Sequence, residues 1–268
     1  MAGVRTQDNG DGDPRRAIEL LWGVSAPPRR GPKPKLATAD VVRAAVALAD
    51  ADGIDAVTIR RVAEQLGVSP MSLYTYVPGR AELLDLMIDH AHGELAAVDE
   101  GLGWRAALTA IAEDQWALLH RHPWLLQVPT SRSALGPHSF AKYERELRAI
   151  DGIGLDDVEM DAVVSLVTGL VRATARSSLD NARLVRATGM TDAQWWERAW
   201  PVLAGIPAAD AAHYPISSRV GQVAGQAHNA AENPAHTFRF GLARVLDGIE
   251  ALVTTRARQA NRRSECQQ

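Results

Sequence analysis

Apolar residues recur at helical spacing along most of the chain. The first clear stripe predicts a helix with Thr38 as its N-cap and an end near Asp52-Gly53; its members are Val41, Val42, Ala45, Leu48 and Ala49. A second stripe predicts a longer amphipathic helix after the turn at Pro78-Gly79; its members are Leu83, Leu84, Met87, Ile88, Ala91 and Leu95.

Helical patterns continue through the rest of the chain. They cover about 104–121, 138–150, 156–181, 192–203 and 234–257, whereas the Pro- and Gly-containing stretches at 123–137 and 204–233 are predicted to be turns or loops. Strand signals are few, so the predicted fold class is all-α.

Two short helices are predicted between the first two stripes. Thr58 is a good N-cap, and the apolar residues after it, Ile59, Val62, Ala63 and Leu66, have helical spacing. Gly67 ends this helix, because glycine adopts the left-handed conformation at little cost. Ser69 and Pro70 then begin the next helix as its N-cap and first residue.

The second short helix has few charges and many mid-sized side chains. Leu73 and Val77 lie one turn apart and are expected to face the core, which leaves Pro70, Met71, Ser72, Tyr74, Thr75 and Tyr76 to face outward or sideways. Hydroxyls, methyls and short apolar groups read base edges in the major groove, so the pair is predicted to be a DNA-reading helix-turn-helix. The alternative is a plain helical hairpin in which the two tyrosines are packing residues.

Cations gather beside this motif. Residues 26–35 place Arg29, Arg30, Lys33 and Lys35 among prolines and a glycine, so this segment is expected to be extended and hydrated. Such an arm can follow the phosphate backbone or lie in a minor groove, and the alternative is a linker that only adds solubility. The residues predicted to contact DNA in the motif itself are Thr58, Arg60, Ser69, Pro70, Met71, Ser72, Tyr74, Thr75, Tyr76 and Arg80.

These segments resemble the tetracycline-repressor (TetR) family of bacterial transcription regulators. The likeness is strong over 36–90, through Leu-Ala-Asp-Ala-Asp-Gly, Thr-Ile-Arg-Arg-Val-Ala-Glu-Gln-Leu-Gly-Val and Leu-Tyr-Thr-Tyr-Val. It continues more weakly through Trp104, His122-Pro123-Trp124 and 233–242. The resemblance implies a dimer joined by a four-helix interface of the last long helices, and a small inducer bound in the C-terminal half. It implies a transcription regulator, not an enzyme.

The predicted domains follow from these assignments. An N-terminal tail (1–28) is expected to be disordered over 1–13, and Pro14–Trp22 could form a short amphipathic helix that packs on the DNA-binding unit. The basic arm and helix-turn-helix domain occupy residues 29–80. A helical ligand-binding and dimerisation domain occupies residues 81–258, and a polar tail that is expected to fray occupies residues 259–268.

Two helices have faces suited to a subunit interface. The patterns at 156–181 and 234–257 are apolar over a wide arc, and burial within one chain is the alternative to dimerisation. A two-fold homodimer would place its recognition helices about 34 Å apart, one turn of DNA, and would bind a palindromic operator.

Six of the seven tryptophans lie in the predicted ligand-binding and dimerisation domain, residues 81–258. Indole rings offer stacking faces and a hydrogen-bond donor, which indicates a pocket for a largely apolar or aromatic inducer, although core packing explains tryptophans equally well. The residues predicted to bind the ligand are Trp116, His120, Trp124, Met160, Val164 and Trp196. Tetracycline itself is not expected, because Ala96, Ile111 and Val128 or Pro129 stand where tetracycline-binding members place polar contacts and a metal-coordinating histidine.

Composition is consistent with these assignments. The 268 residues are 46% hydrophobic, and they contain no long apolar run, so no membrane partner is expected. No signal peptide is recognisable, and the lone Cys266 lies in a polar tail. A cytoplasmic protein is therefore expected. The net charge of −3 does not oppose DNA binding, since the cations concentrate at the motif.

Other functions have less support in the sequence. No phosphate loop, catalytic triad or distinct carboxylate pair indicates an enzyme, and neither a cofactor nor a metal is expected. The pairs His90/His92 and His120/His122 are two residues apart and would point to different helix faces. An architectural DNA-binding protein without a ligand is the remaining alternative, and a closed, well-packed C-terminal core would favour it.

Overall fold

The computed structural model describes residues 12–24, 36–99, 101–129, 134–206 and 212–265, with side chains up to residue 259. The described residues form helices joined by turns, with no strand among them, which confirms the all-α fold class. The α-helices are α1 (Pro14–Leu21), α2 (Thr38–Asp52), α3 (Ile59–Gln65), α4 (Pro70–Leu73), α5 (Arg80–His92), α6 (Trp104–Arg121), α7 (Pro137–Arg148), α8 (Asp157–Thr188), α9 (Asp192–Ala204), α10 (Pro215–His228) and α11 (Pro234–Glu265). Short 3-10 helices span Ile54–Ala56 and Pro123–Leu126.

Helices α2, α3 and α4 form the predicted helix-turn-helix unit around an apolar core. Its fully buried side chains are Val41, Ala45, Val57, Val62, Ala63, Leu73 and Val77. The predicted cap of α2 is wrong by one residue: Thr38 is the first helical residue and Ala37 is the N-cap. Ala37 has no side-chain acceptor for the first N–H groups of the helix. The N-terminus is held instead by the Asp40 carboxylate, which accepts from the Ala37 N–H at 2.8 Å.

The turn between α3 and α4 has the predicted chemistry. Gly67 has a φ of +66°, and the side chains of Thr58 and Ser69 accept from the N–H groups of Arg61 and Ser72, each at 3.2 Å. The regular part of α4 is shorter than predicted and ends at Leu73. One further turn follows, in which the N–H groups of Tyr76 and Val77 donate to the Leu73 carbonyl at 2.9 Å.

Helix α5 is buried around most of its circumference. Ten of its thirteen residues are buried, because α1, α2 and α7 all contact it. The predicted continuation to Leu95 is wrong, since the helix ends at His92 and Gly93 follows as its C-cap.

A short helix forms at the predicted place, Pro14–Leu21, and it packs on α5, the helix that follows the predicted DNA-binding unit. Asp13 caps α1, accepting from the Arg15 N–H at 3.0 Å. The indole N–H of Trp22 donates to the Leu135 carbonyl at 2.8 Å, and its ring meets Phe140 edge-on at 5.9 Å. Most of the predicted disordered segment, residues 1–11, lies outside the described residues.

The chain divides into two compact units, residues 1–168 with 250–268, and residues 169–249. The first unit contains α1 to α7, the start of α8 and the end of α11. In it, Arg105 of α6 pairs with Glu250 of α11 at 3.0 Å, and Arg256 of α11 pairs with Glu159 of α8.

The second unit contains the rest of α8, α9, α10 and the start of α11. Its buried side chains include Val171, Thr174, Ala175, Phe238, Leu242 and Leu246. A Cβ atom on Gly241 would lie 3.0 Å from Leu170 Cδ1, so this glycine permits a close approach of α11 to α8.

Three predicted boundaries in this region are wrong. The segment 204–233, predicted to be a loop, contains the fourteen-residue helix α10. Helix α8 continues beyond residue 181 to Thr188, and α11 continues beyond 257 to Glu265, through most of the predicted tail. The added turns are rich in Ala and Arg, which favour a helix without an apolar stripe. None of the described helices is long and apolar enough to span a membrane.

Candidate functional site

The outer surface of α3 and α4 presents the side chains predicted to read DNA. Met71 and Tyr74 are 77% and 50% exposed, while Leu73 and Val77 are buried. Tyr76 is half-buried and therefore presents less of its ring. The exposed remainder of the predicted set is Thr58, Arg60, Ser69, Pro70, Ser72 and Thr75.

Hydrogen bonds within the turn orient several of these hydroxyls. Ser69 Oγ and Ser72 Oγ lie 2.9 Å apart, and the Thr75 hydroxyl donates to the Ser72 carbonyl. Tyr74 has no such local restraint and projects from the end of α4. The surface therefore combines fixed hydroxyls with a large amphipathic ring, which suits contact with base edges and phosphates.

The arginines beside the motif differ in their ion-pair and hydrogen-bond partners. Arg60 pairs with Glu64 at 2.9 Å, but both side chains are mostly exposed. An exposed pair of this kind contributes little stability, so the Arg60 guanidinium can exchange its partner for a phosphate. The predicted arm residues Arg29, Arg30, Lys33 and Lys35 lie outside the described residues.

Arg80 has a different role from the predicted DNA contact. Its Nε donates to the Val57 carbonyl at 2.9 Å, and a terminal nitrogen donates to the Ile54 carbonyl at 3.1 Å. These bonds direct the guanidinium into the protein and join the first residue of α5 to the 3-10 helix before α3. We therefore correct its assignment from phosphate contact to positioning of the helix-turn-helix.

A polar cluster around the buried side chain of His122 joins α2 to the end of α6. His122 places Nδ1 2.8 Å from Asp50 Oδ1 and Nε2 3.1 Å from both carboxylate oxygens of Glu94. Partial burial of Glu94 opposes its ionisation, but hydrogen bonds from Arg121 and His122 outweigh that effect and lower the pKa of Glu94 below its ordinary 4.5.

Trp124 belongs to this cluster, which corrects its predicted role in ligand binding. Its side chain is only 1% exposed, and its indole N–H donates to Asp50 Oδ1 at 2.8 Å. Both the ring faces and the polar atom of Trp124 are therefore used within the protein. Its role is to hold α2 against the 3-10 helix Pro123–Leu126.

The other predicted ligand residues belong to three different helices, α6, α8 and α9. Trp116 and His120 are half-buried neighbours on α6 with ring centroids 4.6 Å apart, and His120 Nδ1 lies 2.8 Å from the Trp116 carbonyl. Met160 and Val164 are buried one turn apart on α8. Trp196 lies in the second unit, where its ring meets Trp195 edge-on at 5.0 Å.

A pocket of about 660 Å³ lies in the first unit beside α7, a volume in the range of roughly 300–1,000 Å³ usual for small-ligand sites. None of the six predicted ligand residues lines it. Its apolar lining is Leu95, Ala96, Ala97, Val98, Leu102, Ala107, Ala141 and Ala149. Its polar lining is His92, Asp99, His138, Lys142, Glu144, Arg145 and Arg148. Ala141 and Arg145 lie one turn apart on α7, with Ala149 just after its end, but this spacing is equally typical of a solvated helix face.

A charged network is buried behind this pocket. Glu146 is 2% exposed and accepts from Gln115 and, at 2.6 Å, from Lys142. Arg145, whose side chain is 13% exposed, donates from a single terminal nitrogen to the Ala96 carbonyl and to Asp114, the latter at 3.0 Å.

Part of this network has no hydrogen-bond partner among the described residues. The other terminal nitrogen and the Nε of Arg145, together with Glu146 Oε2, are buried and make no hydrogen bond to any described residue. A buried polar atom left unpaired costs roughly 1–3 kcal/mol, so these atoms mark a place where the fold alone does not satisfy its polar groups.

The pocket is attached to α5 through the start of α7. Asp89 of α5 accepts from the backbone N–H of Ser139 at 2.8 Å and lies 2.9 Å from His138 Nδ1. His92 Nδ1 lies 2.9 Å from the Ser139 hydroxyl. A carboxylate at a helix N-terminus is favourable, since the first N–H groups of the helix lack partners.

No group of three or more His, Cys, Asp or Glu side chains suited to a metal ion occurs in the described ranges.

Two family models match the chain. Residues 41–87 match the model "Bacterial regulatory proteins, tetR family", and residues 98–253 match "Tetracyclin repressor-like, C-terminal domain". The HTH-type transcriptional repressor DrrR1 of Streptomyces coeruleorubidus is 43% identical over 254 residues, which cover 94% of this chain and 91% of that protein.

Solved structures share the fold. ActR of Streptomyces coelicolor in complex with actinorhodin superposes with a TM-score of 0.67 at 23% identity, over 81% of this chain and 96% of that one. The transcriptional regulator SCO7222 from the same organism superposes with a TM-score of 0.62 at 25% identity, over 81% and 99%.

Proposed function

The chain belongs to the tetracycline-repressor family of DNA-binding transcriptional repressors, and from this premise we propose that it acts as a homodimer on a palindromic operator and leaves the operator when a small molecule binds. The ligand enters the pocket beside α7. It changes the position of the two recognition helices, and the regulated gene is then transcribed.

The observation that supports this proposal most directly is the placement of α5. Its first residue, Arg80, holds the backbone of the helix-turn-helix, and its last residue, His92, lines the pocket. Thirteen residues of α-helix span about 20 Å. Because α5 is buried on most sides, it can shift only as a body, so a displacement at His92 or Asp89 is carried to Arg80.

Ligand-driven release also requires a difference in affinity between two forms. A ligand that binds the DNA-bound and released forms equally well shifts nothing, however tightly it binds. The released form must therefore hold the ligand better. In a two-fold dimer the recognition helices must lie about 34 Å apart to enter successive major grooves, so a modest rotation of α5 is sufficient to lose the operator.

The exposed residues of α3 and α4 supply the DNA contacts in this proposal. Tyr74, Thr75 and Met71 are placed to meet base edges, and Arg60 and the hydroxyls of the turn meet phosphates and flanking bases. The arm residues Arg29, Arg30, Lys33 and Lys35 add contacts to the backbone or the minor groove. Arg80 is left out of this set because its donors bind carbonyls of the protein.

A selection from random DNA tests the proposal. Fragments bound by the full chain are sequenced, and the selection is repeated with rising concentrations of candidate compounds. Actinorhodin is included because ActR was solved with it. We expect a palindrome that is lost with at least one compound, and a dimer mass in sedimentation. A non-palindromic consensus would contradict dimeric recognition, and a palindrome that no compound releases would favour a ligand-independent DNA-binding protein.

A further inference from the structure

His122 is a buried titratable residue that lies where three segments meet. It is the C-cap of α6, and its side chain is only 5% exposed. Its ring contacts Asp50 in the last turn of α2 and Glu94, the second residue after α5. One ring therefore joins the DNA-binding unit to two segments that follow it, at a place separate from the bonds of Arg80.

Both ring nitrogens of His122 face carboxylate oxygens. Nδ1 lies 2.8 Å from Asp50 Oδ1, and Nε2 lies 3.1 Å from each carboxylate oxygen of Glu94. An ionised carboxylate only accepts hydrogen bonds, and a neutral imidazole has a single N–H to donate. With a neutral ring, one nitrogen would therefore direct a lone pair at a carboxylate. Both contacts are satisfied only when the ring carries two protons and a positive charge.

The charges around the ring favour the same form. The charged groups that the described contacts place at the ring come from three segments: Asp50 from α2, Glu94 after α5, and Arg121 from α6, which pairs with Glu94 at 2.5 Å. The 3-10 helix that follows contributes the neutral indole N–H of Trp124, which also donates to Asp50. Two carboxylates and one guanidinium leave one negative charge, and a doubly protonated ring neutralises it. An uncompensated charge in a partly buried place is unfavourable.

The same contact reaches the lining of the pocket. Glu94 stands between Gly93 and Leu95, and both of these residues line the pocket beside α7. Glu94 and Asp50 are both acceptors, so neither can bind the other directly, and His122 is the donor that joins them. A displacement of the pocket-lining segment therefore changes the support of the last turn of α2 without acting through Arg80.

We propose that doubly protonated His122 is a positioning residue for operator binding, which holds the last turn of α2 by donating to Asp50 and Glu94 at the same time. This inference rests on the proposed function, since it concerns binding to the operator. It adds a second connection between the pocket and the DNA-binding unit. It also makes operator binding depend on pH: as the pH rises, the ring loses one proton, one of the two contacts loses its hydrogen, and the position of α2 is held less firmly.

The protonation of the ring is measured on the full-length wild-type protein without DNA. Histidine labelled with nitrogen-15 is incorporated, and long-range proton–nitrogen NMR spectra are recorded from about pH 6 to about pH 9. The signals of His122 are assigned by their loss in His122→Gln. We expect both ring nitrogens to show the resonances of a doubly protonated ring at pH 7. The resonances of a neutral ring at that pH would overturn the inference.

Operator affinity is then measured by fluorescence anisotropy over the same pH range, with a palindrome selected from random DNA. We expect the affinity of the wild type to fall in the pH interval in which His122 loses its second proton. His122→Gln offers a donor to only one of the two carboxylates, so it should bind about tenfold more weakly at pH 7 and lose most of this pH dependence.

His213→Gln is the matched control, because it removes a histidine at an exposed position in the second unit. It should bind the operator as the wild type does at every pH. A wild-type affinity that stays constant while the ring of His122 loses its proton, or equal effects in both glutamine variants, would overturn the inference.

A double-mutant cycle separates positioning from a general loss of stability. Asp50→Asn and Glu94→Gln each remove one charged acceptor, so both should act on operator affinity through the same ring. We expect each alone to weaken binding about fivefold, and the second to add less than about twofold once the first is present. Urea midpoints of all variants are recorded in parallel. Additive effects on affinity, or a loss of stability without any change in operator affinity, would overturn the inference.

Failure of the proposed function has a different outcome. If no operator is selected from random DNA, the repressor proposal fails, and the role of His122 in operator binding fails with it, whatever the protonation of the ring. An operator that binds the wild type and His122→Gln with the same affinity would leave the proposed function intact and remove only this inference.

Discussion

The indole N–H of Trp124 donates to Asp50 Oδ1 across 2.8 Å, and this bond joins the 3-10 helix after α6 to the last turn of α2. The same carboxylate oxygen lies 2.8 Å from His122 Nδ1. Hydrogen bonds therefore connect the DNA-binding unit to the helices that follow it both at Asp50 and through Arg80 of α5. Both attachments are directional hydrogen bonds in partly buried positions, so each fixes an orientation as well as a distance.

Trp124→Phe tests the first attachment. Phenylalanine keeps an aromatic ring in the buried site but removes the donor, so Asp50 loses one of its two partners. We expect the free energy of unfolding to fall by about 1–3 kcal/mol, as for a buried hydrogen bond to a charged group with some loss of volume. Urea titration provides the measurement. Trp195→Phe, at an exposed position, is the control, and an equal effect in both variants would contradict the role of Trp124.

Local sequence was sufficient to predict the helix-turn-helix. Thr58, Gly67, Ser69 and Pro70 each act through backbone groups within a few residues, so their roles can be derived without knowing the rest of the fold. The local sequence also explains why α10 was not predicted. Its apolar positions are separated by Gly221 and Gly225, and glycine is unfavourable in a helix interior.

The corrected site residues depend on contacts distant in sequence. Trp124 and Asp50 are separated by 74 positions, and Arg80 bonds carbonyls 23 and 26 positions before it. An arginine beside a DNA-binding motif and a tryptophan in a ligand-binding half suggest their usual roles, and sequence does not reveal a competing partner inside the protein. The pocket beside α7 was missed because alanines form its wall, and alanine carries no chemical signal.

Arg80 and Arg60 are expected to respond differently to substitution. Arg80→Met removes bonds to two backbone carbonyls, so it should lower the unfolding temperature and weaken binding to every DNA sequence. Arg60→Met removes only an exposed ion pair, so stability should stay within about 0.5 kcal/mol while operator affinity falls by about 1–3 kcal/mol.

Thermal unfolding and anisotropy at several salt concentrations separate the two effects. A lost phosphate contact lowers the salt dependence of binding, whereas a disordered motif lowers affinity and stability together. If Arg80→Met left the unfolding temperature unchanged and reduced the salt dependence by about one contact, Arg80 would be a phosphate ligand after all.

Gly67→Ala tests the turn between α3 and α4. Apart from the two adjoining residues, no heavy atom of the described residues lies within 4 Å of the position that a Cβ would occupy, so steric overlap does not contribute. The cost comes from the φ of +66° alone, and we expect about 1–2 kcal/mol of destabilisation. Gly221→Ala, also without neighbours within 4 Å but inside α10 and outside the left-handed region, is the control and should be neutral or slightly stabilising. A neutral Gly67→Ala would show that the turn can relax.

Asp89→Asn tests the coupling of α7 to α5. Asparagine retains an acceptor for the Ser139 N–H but loses the charge that faces His138 and the helix N-terminus. We expect operator affinity to change by less than about threefold and the concentration of ligand needed for release to rise by about tenfold, within the usual range of coupling energies. Asp151→Asn, exposed after α7, is the control. Unchanged release by an identified ligand would exclude Asp89 from the coupling.

Lowering the pH should reduce the contribution of Glu94 to the free energy of unfolding. Hydrogen bonds from Arg121 and His122 hold the pKa of Glu94 below 4.5 in the folded protein, so the folded state binds fewer protons than the unfolded chain in that range. The stabilisation is complete above the unfolded pKa and is lost as the pH falls through the lower, folded one. Glu94→Gln should therefore be less stable than wild type at pH 7, and the difference should narrow below about pH 4.5. Urea midpoints between pH 7 and pH 3.5 measure this, with the exposed Glu113→Gln as the control for net charge. A difference that stays constant over the whole range would show that ionisation of Glu94 does not contribute to stability.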